Sequence, residues 1–189
     1  MKRLIFFIPI FLLAIASCNQ GPKGSQAEAI EERDFLSMAI SGSEMEVALG
    51  KLAMKQALET RVRKFAEMMT ADHSDAAQEL RALAANKNIS VDANIVRDHE
   101  KHILAMQKKS GVAFDKAYLK MMLKDHRKDI KEFEDMIKTT KDEDLKALAT
   151  KLLPTLKKHL DSAKSINRKV KASLEPSDMT NAVETFPQR

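Results

Sequence analysis

Three histidines stand where a helical repeat calls for apolar residues. His73 falls in the run Met69, His73, Ala76, Leu80; His126 falls in Met122, His126, Ile130, Phe133; His159 falls in Leu156, His159, Ala163, Ile166. Each run steps by three and four, so each histidine lies on the core-facing stripe of its own helix. A buried imidazole is costly unless both ring nitrogens find partners. Three of them point to mutual bonding or to a shared ligand. A fourth helix offers Glu46, whose helical neighbours are Ala39, Gly42, Leu49 and Ala53. With Glu46 as an oxygen ligand and three imidazole nitrogens, the set suits one transition-metal ion: zinc, iron, copper or manganese. Asp72 and Asp125 directly precede two of the histidines. One helical step turns each about 100° away, so both are expected to support the histidines or pair with Lys or Arg rather than bind metal. The competing reading is a metal-free polar network, in which the histidines bond to Glu46, Asp125, Asp129 or water and set the helix register.

Four long helical patterns must carry these residues: about 31–58, 60–85, 114–139 and 142–170. Their apolar stripes are about 100° wide, as in a bundle helix. The turns near Glu59 and Lys141 are tight, so each flanking pair is antiparallel. The link from the second helix to the third is long and holds a short amphipathic helix at about 92–108. It can cover a bundle's length, so a crossover is expected. The fold class is therefore all-α: a ferritin-like four-helix bundle of two antiparallel hairpins joined by a long crossover. Mirrored through a turn at Glu59, position 46 falls at 72, beside His73. Mirrored through Lys141, position 126 falls at 156, three residues or about 4.5 Å from His159. Each hairpin thus brings its own pair together. The relative height of the two hairpins stays open. Pro154 lies inside the last helix and should bend it. His99 and His102 in the crossover share a helix face and are expected to be exposed. Met45, Met69 and Met122 lie on the stripes and read as adaptable core filling.

The chain opens "MKRLIFFIPIFLLAIASC". A basic start, a short apolar run and small residues before Cys18 resemble a bacterial lipoprotein signal. In that reading residues 1–17 are removed and Cys18 carries the lipid. This also explains a lone cysteine in an exported protein. Asn19, not aspartate, follows, which favours the outer membrane facing the periplasm. Residues 18–30 read as a flexible tether, 31–172 as the bundle domain and 173–189 as a disordered tail. Removing Lys2 and Arg3 from the 32 basic residues leaves 30 against 27 acidic ones, a net charge of about +3. With one tyrosine and no tryptophan, a base-stacking nucleic-acid surface is not expected. The expected partner is the membrane, reached through the lipid.

The segment 34–84 around Glu46 and His73, the "AFDKAYLKMMLKDHRKDIKEFE" stretch and "LKALATKLLPTLKKHLDSAK" resemble the domain of unknown function 4142 family. Its bacterial members are often labelled outer membrane proteins and grouped with ferritin-like folds. The resemblance covers about 34–166 and implies fold and address, with no established activity. Ferritin-like di-iron proteins use Glu-x-x-His on two helices. Here Thr70 precedes His73 by three and Leu156 precedes His159 by three. A standard di-iron centre is therefore not expected.

No residue is nominated as catalytic, since no Gly-rich phosphate loop or nucleophile elbow occurs. Two functions compete. One is a lipid-anchored, non-catalytic helical module that contributes to stress tolerance through another envelope component. The other is a mononuclear metal-binding or redox protein built on His73, His126, His159 and Glu46.

Overall fold

The computed structural model describes residues 23–173. The expected signal segment, Cys18 and the tail beyond Ser173 lie outside the described residues. Five α-helices follow one another: α1 Lys23–Gln56, α2 Thr60–Asn86, α3 Ala93–Gln107, α4 Gly111–Thr139 and α5 Glu143–Ala172. No described helix is long and apolar enough to cross a membrane.

Two boundaries differ from expectation by more than a couple of residues. α1 begins at Lys23, not near Glu31, so most of the expected tether is helical. Ala27, Glu28 and Ala29 are good helix formers, and Glu28 also reaches Lys141 at 2.5 Å. α4 begins at Gly111, whose φ of +56° suits a residue without a Cβ. α5 continues through Pro154 without a break.

The packing settles the topology. α1 packs on α2, α4 packs on α5, and the hairpins meet through the α1–α4 and α2–α5 pairs. The start of α1 lies against the end of α4, where Phe35 and Phe133 meet edge to face at 4.9 Å. The end of α1 lies against the start of α4. There the buried Asp115 carboxylate accepts from the backbone N–H groups of Leu58 (3.1 Å) and Glu59 (2.9 Å). α1 and α4 are therefore antiparallel, and α2 runs parallel to α4. α3 carries the chain back along the bundle, packed on α1 and α4 and anchored by the buried Met106. This is the crossover expected of a ferritin-like arrangement.

The core is split into two apolar clusters. One holds Leu49, Phe65, Met69, Tyr118, Met122 and Ala163. The other holds Leu36, Ile40, Leu80, Phe133, Leu145 and Leu156. On α2, α4 and α5 the histidine lies between the residues given to one cluster and those given to the other. On α1, Glu46 lies between Ile40 of the second cluster and Leu49 of the first. A polar layer crosses the bundle at mid-height.

Candidate metal centre

His73 from α2, His126 from α4 and His159 from α5 meet in that layer. All three are buried, with ring centroids 5.1–5.4 Å apart. One ligand nitrogen from each lies within 4.8 Å of the others. The two hairpins thus sit at matching heights, which turn arithmetic alone did not supply. Asp115 of α4, bonded to the α1–α2 turn, and the Phe35–Phe133 contact set that height from either end.

Hydrogen bonding assigns the ring protons. His126 Nδ1–H donates to the Met122 carbonyl at 3.1 Å, because a carbonyl can only accept. His159 Nε2–H donates to Asp72 Oδ2 at 2.8 Å. The remaining nitrogens, His126 Nε2 and His159 Nδ1, face each other at 3.3 Å. With both other nitrogens protonated, these two carry lone pairs. Lone pairs so placed repel unless a proton or a cation lies between them. The edge of a tetrahedral shell with metal–nitrogen bonds of 2.0–2.1 Å is about 3.3–3.4 Å. The separation fits two ligands of one ion. His73 makes no hydrogen bond through either ring nitrogen, although both are buried.

Burial lowers the His73 pKa well below its usual range, and the other two imidazoles add to this. Burial, helped by His159, takes His126 down to about 3 against the pull of the Met122 carbonyl. Burial also lowers His159, with Asp72 opposing. All three shifts favour the neutral ring, the state in which imidazole binds metal.

Glu46 meets two of the three histidines. Its Oε2 lies 3.1 Å from His73 Nε2 and its Oε1 lies 3.2 Å from His126 Nδ1. It thus faces the edge of His126 opposite to the one that meets His159. It groups with His126 and Asp129, not with the three histidines together. An ion held through His126 Nε2 would have Glu46 beside its ligands, not among them. Burial raises the Glu46 carboxyl well above its usual range, and Asp129 and Asp125 raise it further. Burial and Asp125 push Asp129 up to about 7.

Asp72 bonds His159 across the bundle and not its neighbour His73. Asp125 lines a separate cavity of about 170 Å³ with His99, His102 and Asp129. His102 is exposed, but His99 is half-buried, with Nδ1 at 2.8 Å from Ser41 Oγ. Sequence reasoning missed two contributors. The Met122 carbonyl lies one turn before His126, a spacing that could have flagged it. Gly50 lets α1 and α2 approach closely; its scarcity in a helical chain was the available signal.

Fold and site define a class: an all-α bundle with a buried three-histidine cluster at mid-height. The model described as a domain of unknown function, DUF4142, matches residues 18–166, and the chain belongs to that family. No curated protein and no solved structure matches the chain.

Proposed function

We propose that this protein binds one transition-metal ion through His73, His126 and His159. The observation that carries the reading is the pair of facing nitrogens, His126 Nε2 and His159 Nδ1, at 3.3 Å. A metal-free chain of bonds would need either the His126 proton on Nε2 or a second proton on His159, a charge that its burial disfavours. The first would leave a lone pair of Nδ1 against the Met122 carbonyl at 3.1 Å, and in both His73 would still be without a hydrogen bond. An ion resolves all three. Asp72 and Met122 then hold two ligands in their tautomers, and Glu46 stands against His73 and His126, the usual arrangement behind metal-bound histidine. A shell of imidazoles favours zinc, copper or iron over manganese, which prefers oxygen donors.

The test is elemental analysis of the purified protein after reconstitution with each metal. About one ion per chain is expected, with His73→Ala and His126→Ala each abolishing retention. A stoichiometry near zero with every metal overturns the reading.

The address is part of the same proposal. The small residues before Cys18 support a lipid anchor on that cysteine, holding the bundle to the bacterial envelope, with the outer membrane favoured by Asn19. Cys18→Ala should release the protein from the membrane fraction. Retention of the variant there counts against the anchor.

A further inference from the structure

A cavity of about 200 Å³ opens from the surface between the long helices and reaches His73 and His159. All four long helices line it. Its far wall is apolar, formed by Phe35, Leu80, Phe133, Leu152 and Leu156. Its polar side carries Glu46, Asp72, Asp75, Asp129 and Glu132, together with Glu79, which is paired at 2.6 Å with the one lysine of the lining, Lys151.

We propose that the metal's remaining coordination position opens into this cavity and accepts a small uncharged molecule. The inference rests on the metal-binding reading above. Three histidine nitrogens leave a tetrahedral shell incomplete, and open shells of this kind mark reactive rather than purely structural sites. Glu46 also lines the cavity, 3.1 Å from His73 Nε2, but it meets His126 on the edge away from His159 and so stands beside the shell. His73, buried and without a hydrogen bond, lines the cavity and supplies the polar end of the pocket. The volume exceeds that of several waters, each of which takes about 30 Å³ of liquid. It therefore admits a ligand of a few heavy atoms. The charge of the walls selects its class. Asp72, Asp75, Glu79 and Glu132 outnumber the single lysine and offset the charge of the ion, which disfavours anions, while the aromatic and aliphatic wall favours an uncharged molecule with an apolar part.

The experiment uses the full chain loaded with cobalt(II), whose visible spectrum reports its ligands. Pyridine, uncharged at pH 7.5, serves as the neutral probe, and azide serves as the anionic one. Pyridine is expected to shift the cobalt bands saturably with cobalt still bound at one per chain, and azide at the same concentration is expected to leave them unchanged. Ala76→Leu places extra carbon one turn from His73 in the cavity wall. It should keep the cobalt spectrum and weaken the pyridine response at least tenfold. Bound cobalt with no pyridine response shows a closed shell and overturns the inference while sparing the metal site. A stronger response to azide than to pyridine overturns the assigned ligand class. An undiminished pyridine response in Ala76→Leu with intact cobalt bands shows that the probe does not enter by the cavity. Failure of the wild-type chain to bind cobalt removes both proposals together.

Discussion

The three-and-four step located three histidines on three helices, and the structure brings them into one cluster. What surrounds each ring was less legible. Asp72 illustrates the gap. Helical geometry showed that it turns away from His73, but a single helix cannot show what it turns towards. The answer, His159 at 2.8 Å, depends on how α5 packs on α2. Glu46 shows the same limit. Its height was right, but which edge of His126 it meets is a matter of side-chain geometry. These placements separate two aspartates that look alike in sequence. Asp72→Ala removes the acceptor that holds His159 with Nδ1 free. It should weaken metal affinity about 10–100-fold with the stoichiometry kept. Asp125→Ala, beside His126 in sequence but not bonded to it, should change affinity far less. Competition titrations against a metallochromic chelator measure both. Equal losses in the two variants would remove Asp72 from its positioning role.

At the scale of helices, the hairpins were readable because their turns are short and their stripes continuous. The close approach of α1 and α2 was not, because it depends on one residue without a side chain. A Cβ on Gly50 would press on Thr70 Oγ1 and lie 3.0 Å from the Ala66 carbonyl oxygen. Thr70 already bonds that carbonyl at 2.8 Å. A side chain can rotate, but a helix backbone cannot give locally, so Gly50→Ala should separate the helices. The expected cost is about 1–3 kcal/mol of stability, read from chemical denaturation. Because Gly50 is one turn from Glu46 and Thr70 one turn from His73, metal affinity should fall as well. A second element-level contact is pH-sensitive. Asp142 caps α5, accepting from the Leu145 N–H at 2.9 Å, and pairs with Lys87 at the end of α2. Partial burial alone would raise its pKa, but the Lys87 bond and the Leu145 N–H hold it below the ordinary 3.8. A depressed carboxyl stabilises the fold above the unfolded value and loses that contribution as pH falls through the folded one. Asp142→Asn keeps a capping oxygen and removes the charge. It should cost about 0.5–1 kcal/mol at neutral pH. The difference from wild type should shrink as the pH drops below 3.8. A difference that is constant from neutral pH to pH 3 would place the effect in packing, not charge.

For the whole molecule, the long second connection was the legible clue to topology. A link that can span the bundle allows α2 and α4 to run parallel, and the packing places α3 along that path. The relative height of the hairpins could not be read, because it depends on contacts between residues far apart in sequence, such as Asp115 with the α1–α2 turn. Those contacts make the polar layer a joint between two apolar clusters, with α2 from one hairpin and α4 and α5 from the other each giving a histidine. An ion at that joint would fasten the hairpins to each other. It would bind the folded chain, where three nitrogens already converge, far better than the unfolded one, where they are scattered over more than 80 positions. Linkage then requires stabilisation that grows with free metal, about 2.7 kcal/mol at 100 times the dissociation constant. Thermal unfolding should move upward with metal concentration as one transition, because the joint ties both halves of the core. His73→Ala should remove the shift while still unfolding cooperatively without metal, since it leaves both apolar clusters in place. Two separate transitions in the loaded protein, only one of them metal-dependent, would show that the ion fastens one hairpin alone.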